Sequence, residues 1–313
     1  MAEYTTPTTD LTTTLNQQLG SDVAKEILAL LNSGQSGQSG NGSANVVTGY
    51  TGGSLPAGTD VVYIDPKYTG PISGAAFDNA TAIIVPGTGS AQVILNGGVD
   101  KVIQLGGGND TVQINGNTSD TITNVGIGDK VDAGAGFDKV VVAGNLSDYH
   151  TVVTTNGVQL VDAAGHSMTI SNAEFIQFSD GSVMINAKTT TDATVAKFYD
   201  LILDRNADAH GTDYWWTSDT STSVTKVADT FLHSQEFTAQ HGSVDTMSNT
   251  DFVTLMYQNA FGRGADTQGL AYWDNVLKSG AITKANLVVY FATSKEDADH
   301  TANTIHVIPD ILH

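Results

Sequence analysis

Residues 95–112 read Leu95-Asn-Gly-Gly-Val-Asp100-Lys-Val-Ile-Gln-Leu105-Gly-Gly-Gly-Asn-Asp110-Thr-Val112. Two glycine-rich turns each end on an aspartate, ten residues apart, and an aliphatic residue (Val102, Val112) follows two positions after each. The spacing continues through Asp120, Asp129 and Asp138, in steps of ten, nine and nine. Gly106 and Gly108, and again Gly134 and Gly136, give these turns access to positive φ. The aliphatic residue then starts a short strand with its side chain in the core. This predicts a parallel β-roll or β-solenoid in which each nonapeptide makes half a coil. Turn carbonyls and the aspartate carboxylate are hard oxygens, suited to calcium. Every second repeat stacks on the same side, which puts Asp100, Asp120 and Asp138 along one edge and Asp110 and Asp129 along the other. The turns before Asp120 (Asn117-Thr-Ser119) and Asp129 (Ile127-Gly128) are degenerate. The plainer alternative is a solenoid whose aspartates and glycines only satisfy turn geometry.

From Val46 to about Asn186 the chain reads as many short strands broken by Gly, Asn and Pro, with no helical period. It closes with Asp148-Tyr-His-Thr-Val-Val, Val158-Gln-Leu-Val-Asp162 and Asn172-Ala-Glu-Phe-Ile-Gln-Phe-Ser-Asp-Gly181. Residues 90–186 resemble the calcium-binding RTX modules of secreted proteins, and this succession resembles their closing segment. The resemblance implies bound calcium and hairpin strands that cover the last open coil.

The chain has 313 residues, 33 acidic and 13 basic, a formal charge of −20 and a pI near 4.4. So acidic a chain argues against nucleic-acid binding and suits an extracellular protein that folds when divalent cations neutralise its carboxylates. Without cysteine there is no disulfide framework, so stability must come from packing, metal or assembly. The first residues lack the basic and apolar regions of a secretory signal peptide, and no apolar run reaches the length of a membrane span. The tail over 301–313 ends Ile305-His-Val-Ile-Pro-Asp-Ile-Leu-His313. It resembles the uncleaved C-terminal signal of type I secretion substrates, which implies the type I machinery as a partner and a secreted, cell-surface location.

Residues 1–32 predict an amphipathic helix with Leu15, Leu19, Val23, Ile27, Leu28 and Leu31 on one side. Residues 33–45 read as a Gly/Ser/Gln linker. Beyond residue 192 the pattern turns helical and repeats after 58 residues. Tyr199, Arg205, Asp208, Gly211, Tyr214 and Trp215 recur as Tyr257, Arg263, Asp266, Gly269, Tyr272 and Trp273. Each copy ends alike, in Phe231-Leu-His-Ser-Gln-Glu236 and Phe291-Ala-Thr-Ser-Lys-Glu296. Residues 192–300 resemble an uncharacterised helical repeat domain found beside RTX modules and in surface-layer proteins, itself similar to phycobilisome linkers.

The repeated constellation has two readings. In one, arginine ends a helix, aspartate caps the next, and the Tyr-Trp pair anchors the core. In the other, Arg205, Asp208, Tyr214, Trp215, Arg263, Asp266, Tyr272 and Trp273 bind a ligand: a cell-surface glycan or another copy of the chain. No zinc-protease, nucleophile-elbow or phosphate-loop motif occurs, which leaves no catalytic residue to nominate. The expected fold is multidomain β plus α, a calcium roll followed by an all-α repeat domain. The expected role is structural or adhesive, at the cell surface, in a surface layer or in a biofilm matrix. A carbohydrate-binding module is the alternative. A solenoid polysaccharide-modifying enzyme is disfavoured by the few basic residues between 46 and 186 (Lys67, Lys101, Lys130, Lys139).

Overall fold

The computed structural model describes residues 2–33, 43–218 and 223–313. It divides into two compact units, Met1–Ser182 with Ile308–His313, and Val183–Val307.

The first unit opens with β1 (Ala2–Pro7), α1 (Thr8–Leu19), α2 (Ser21–Ser33) and β2 (Ser43–Tyr50). Next come β3 (Val61–Ile64), β4 (Pro71–Ser73), α3 (Ala75–Asp78), β5 (Ala82–Ile84), β6 (Gln92–Leu95) and β7 (Val102–Gln104). Then follow β8 (Thr111–Ile114), β9 (Thr121–Val125), β10 (Lys130–Asp132), β11 (Lys139–Val142), β12 (Tyr149–Val153), β13 (Gly157–Asp162), β14 (Ser167–Ser171) and β15 (Phe175–Phe178). From β3 to β11 successive strands alternate between two sheets. One sheet is ordered β1-β2-β3-β5-β7-β9-β11-β15, the other β12-β13-β14-β10-β8-β6-β4. Pairing is parallel from β2 through β15 in the first sheet and from β4 through β14 in the second. Val61, Ala82, Val102, Thr121 and Lys139 stand in register, so one coil takes 21, 20, 19 and then 18 residues.

Between the sheets lies an aliphatic core that includes Val62, Ile83, Ile103, Ile122 and Val140 on one side and Val93, Val112 and Val131 on the other, all buried. Several strand residues of opposite phase in the first sheet, from β2 to β7, are buried as well, because the N-terminal helices cover them. Leu11, Leu15, Ala24, Ile27 and Leu31 pack on Val46, Val61, Ala82, Ile84 and Val102. This explains why those strands read as continuous apolar runs. Lys139, further along that face, pairs with Glu26 at 2.6 Å. The single helix expected over 1–32 is therefore a strand and two helices, divided at Gly20 with φ 84°. Of the expected linker, Ser33 ends α2 and Ser43–Asn45 opens β2, paired to β1; residues 34–42 lie outside the described residues.

The hairpin strands lie on the edge of the last coil, where β14 pairs with β10, and so extend the second sheet. β12, β13 and β14 pair antiparallel, leaving β12 at the edge with Val152 and Val153 exposed. The C-terminal residues are also built into the fold. Ile308 and Ile311 are buried, and the Leu312 N–H donates to Asn172 Oδ1 at 3.1 Å.

The second unit comprises β16 (Val183–Ala187), α4 (Thr190–Leu203), α5 (Ala209–Thr217), α6 (Val224–Leu232), α7 (Gln235–His241), α8 (Asn249–Phe261), α9 (Thr267–Lys278), α10 (Lys284–Ala292), α11 (Lys295–His300) and β17 (Ile305–Val307). Helices α4–α7 and α8–α11 are the two copies. Each helix begins at a Ser, Thr or Asp whose side chain accepts a backbone N–H of its first turn. Both copies contribute to one core, with Phe198, Ile202, Phe231 and Phe237 beside Phe252, Met256, Leu287 and Phe291. β16 and β17 pair in parallel, and α4 packs on both strands. A fragment covering 183–307 is expected to melt cooperatively and identically with calcium or chelator. Trimming it to 190–300 removes the strand pair and should lower the melting temperature, and either copy alone should not fold. A calcium-dependent melt of the longer fragment would contradict this.

Candidate functional site

The residue that closes each turn, immediately before the strand, forms a ladder. Along one edge stand Lys101, Asp120, Asp138 and Glu174, and along the other Asp110 and Asp129. Each carboxylate accepts the backbone N–H of its counterpart one coil earlier. The donors are Lys101 to Asp120 (2.9 Å), Asp120 to Asp138 (2.7 Å), Asp138 to Glu174 (2.7 Å), Ala91 to Asp110 (2.7 Å) and Asp110 to Asp129 (2.7 Å). Asp100 is out of step. It precedes the ladder position by one residue and accepts the Ser119 N–H at 2.9 Å. The expected alignment of Asp100 with Asp120 and Asp138 is thus corrected: Asp100 and Asp120 are twenty residues apart, whereas the coil from Val102 to Thr121 takes nineteen.

The second carboxylate oxygens divide the aspartates. Asp129 Oδ2 accepts the Gly126 N–H at 2.8 Å, and Asp120 Oδ2 accepts the Thr118 hydroxyl at 2.8 Å. Asp110 Oδ2 and Asp138 Oδ2 are buried without a hydrogen-bond partner. Burial pushes the carboxyls of Asp110 and Asp129 above their ordinary range. Burial raises Asp120 to about 6 against the pull of Lys101. Asp138 is raised well above it, first by burial and then by the charges of Asp120 and Glu174.

The turns stack backbone on backbone, which is why glycine recurs. A Cβ on Gly106 would lie 2.3 Å from the Gly87 carbonyl oxygen, and one on Gly136 (φ 122°) 2.3 Å from that of Thr118. Gly108 and Gly134 likewise lie against main-chain oxygens of the preceding coil. Among the described residues no group of three or more His, Cys, Asp or Glu side chains is placed to hold a metal. A cation at Asp110 or Asp138 would draw most of its ligands from main-chain carbonyls, the donor mixture that calcium accepts. The orphaned carboxylate oxygens and the stacked carbonyls fit that ion; the satisfied Asp120 and Asp129 fit it less well. Spacing alone did not reveal Lys101, Glu174 and Asp60 as ladder members. Their signal is local, because each directly precedes a buried strand residue, and Asp60 accepts the Asn45 N–H at 2.8 Å.

In the helical unit each arginine is fully engaged. Arg205 grips Glu236 through two hydrogen bonds (2.6 and 3.2 Å), donates to Asp208 at 3.1 Å and lies over the Tyr199 ring. Arg263 grips Glu296 (2.8 and 3.0 Å) over Tyr257. Asp208 and Asp266 cap α5 and α9 by accepting the N–H groups of Gly211 and Gly269. Those positions are glycine because a Cβ would meet the hydroxyl of Tyr199 at 2.2 Å or of Tyr257 at 2.5 Å. The repeated Tyr, Arg, Asp and Gly are thus a clamp between the first and fourth helices of each copy. The two partner glutamates lie 31 and 33 residues beyond their arginines, too far for a motif. A cleft of about 190 Å³ beside the first clamp is lined by Tyr199, Arg205, Trp215, Phe231 and Glu236 among others.

The aromatic pairs behave differently. Tyr214 and Tyr272 are 57% and 61% exposed, while Trp215 and Trp273 are half-buried against the core. The buried tryptophan is Trp216, whose indole N–H donates to the Asp192 carbonyl at 3.1 Å. Trp216→Ala is expected to cost about 3–5 kcal/mol, and Trp273→Ala clearly less, as read by thermal denaturation of each variant. Equal losses would refute this assignment of the core.

Comparison with known proteins finds one family. Residues 228–301 match a family described as a domain of unknown function (DUF4214). Over those residues the chain is similar to that family. The match begins inside α6 and takes in all of the second copy. No curated protein and no solved structure matches the chain.

Proposed function

We propose that this is an exported structural or adhesive protein of the cell surface, surface layer or biofilm matrix, whose first unit is a calcium-binding parallel β-roll. The observation that carries the reading is the pair of buried, unpartnered oxygens on Asp110 and Asp138, set in a ladder of carboxylates held above their ordinary pKa. A divalent cation supplies the missing charge there. Asp110 and Asp138, on opposite edges, would each hold one such ion, together with carbonyls of the glycine turns. Because the unfolded chain lacks the site, binding stabilises the fold by mass action, and an acidic chain stays soluble until calcium is met. Isothermal titration with calcium and melting curves in calcium and chelator test this. Asp110→Asn and Asp138→Asn should lower the affinity, Asp120→Asn much less so. No heat of binding, with superimposed melts, would end the proposal.

The export route rests on the C-terminal pattern and its likeness to type I secretion signals. Fusing residues 254–313 to a passenger and following it into the medium of a type I-competent host tests that route; retention counts against it. Among the described residues no helix is long and apolar enough to cross a membrane.

A second reading, recognition of a glycan by the helical unit, is favoured by one feature. Tyr272, Trp273 and Tyr290 form a chain of rings, with centroids 5.0 and 6.0 Å apart and both tyrosines more than half exposed. Aromatic faces of this kind stack on sugars, and the first copy has Thr230 where Tyr290 stands. An enzyme has less support. The depression on the outer face of the second sheet contains Lys130 and Asp132 but no arginine or tyrosine.

A further inference from the structure

Lys101 is the one ladder position on its edge, from β7 to β15, that carries a cation. Its side chain is wholly buried, and its Nζ lies 3.1 Å from the Gly97 carbonyl oxygen, 2.5 Å from that of Val99 and 3.8 Å from Asp120 Oδ1. The carbonyls belong to its own turn and the carboxylate to the next coil. Gly97 and Gly98, at φ 97° and 96°, shape that turn. A Cβ on Gly98 would fall 2.0 Å from the Asp78 carbonyl oxygen, so the turn is also pressed against the coil before it. Glycine-turn carbonyls plus one carboxylate of the following coil are the ligands a hard divalent ion selects. Here they surround an ammonium group. A buried lysine persists only where its charge is compensated, and this one donates to two carbonyls beside Asp120, whose own oxygens are all engaged. One coil further on the compensation stops. Asp138 Oδ2 has no partner, and the next ladder residue is Glu174.

We infer that the Lys101 ammonium is a resident cation that takes the place of a divalent ion in this turn, and that its removal converts the turn into a calcium site. The inference rests on the reading of the turns as calcium-binding. The contact of this turn with the Asp120 coil is then complete without metal, while the contact between Asp138 and Glu174 is not. In the absence of calcium, the contact at Asp120 on this edge should hold while the one at Asp138 loosens.

The test compares the full chain with Lys101→Ala, which leaves room for an ion, and Lys101→Gln, which keeps donors for the two carbonyls but not the charge. Native mass spectrometry counts calcium ions, and melting curves are taken in chelator and in millimolar calcium. Both variants should melt below the parent in chelator, bind one calcium more than the parent, and gain more in melting temperature from calcium. A variant unfolded in chelator that folds on calcium addition supports the inference equally; one that stays unfolded in calcium counts against it. Unchanged ion number together with an undiminished deficit in calcium overturns it. If the parent itself neither binds calcium nor responds to it, the proposed function fails. In that case one ion gained by the variants still upholds the role of Lys101.

Discussion

With calcium chelated, the first unit should be more stable at about pH 4.5 than at about pH 7.5, the reverse of ordinary acid denaturation. Asp110, Asp120, Asp129 and Asp138 all have carboxyl pKa values raised by burial. A group whose pKa is higher folded than unfolded binds more protons in the folded state. Its stabilising contribution is complete below the unfolded value and disappears as pH rises through the folded one. For Asp120 that window runs from 3.8 to about 6, and a shift of this size is worth about 3 kcal/mol. Asp138 extends the window upward. Asp162 and Asp180 oppose the trend, because backbone N–H groups hold their carboxyls below the ordinary range; both are at the surface, and the buried ladder should outweigh them. Overall repulsion at a formal charge of −20 acts in the same direction but is screened by salt, whereas burial of the ladder is not. The measurement is the β-sheet circular dichroism melt in chelator across this range, at low and high salt, repeated in calcium. Calcium should raise the neutral-pH melt most and flatten the profile. An apo melting temperature that is level or rises toward pH 7.5 would exclude the ladder as a determinant of stability.

What was legible in the sequence is what local chemistry decides. The glycine turn, the residue before the strand and the aliphatic residue after it recur within nine or ten positions, so the alternation of strands between two sheets follows from reading one repeat. Register is less local. Asp100 and Lys101 are adjacent, and only the nineteen-residue coil between Val102 and Thr121 decides which of them enters the ladder. The docking of α1 and α2 is a long-range effect. Their apolar stripe is plain, but the surface receiving it is the outer face of a sheet whose strands lie tens of residues away. In the helical unit the cap at Asp208 and Asp266 was readable because a cap satisfies its own helix. The clamp glutamates recur at the ends of the two copies, but their pairing with the arginines was not readable, since an arginine finds its partner through the tertiary fold. Trp216 was hidden by its neighbour: adjacent helical residues point about 100° apart, and only the packing determines which ring turns inward.

Gly136→Ala should be among the most damaging single substitutions in the first unit, and Gly165→Ala is its control. Both glycines have positive φ, 122° and 85°, so alanine is strained at either position. At Gly165 nothing lies within 4 Å of the added carbon, and the expected cost is the backbone term alone, about 1–2 kcal/mol. At Gly136 the carbon would lie 2.3 Å from the Thr118 carbonyl oxygen and 2.8 Å from its carbonyl carbon. Main chain cannot step aside as a flexible side chain does. Either the turn over 133–138 separates from the coil below or the strain remains, and the total should exceed about 3 kcal/mol. The two substitutions also separate packing from metal. If the turn that ends at Asp138 holds calcium, Gly136→Ala should lose most of the stabilisation that calcium confers, because the stacked carbonyls and the orphaned carboxylate oxygen are displaced together. Gly165→Ala, in the hairpin loop, should retain it in full. If both variants melt alike, the turns are looser than this stacking requires; if Gly136→Ala is destabilised yet keeps the whole calcium response, the ion binds at another turn.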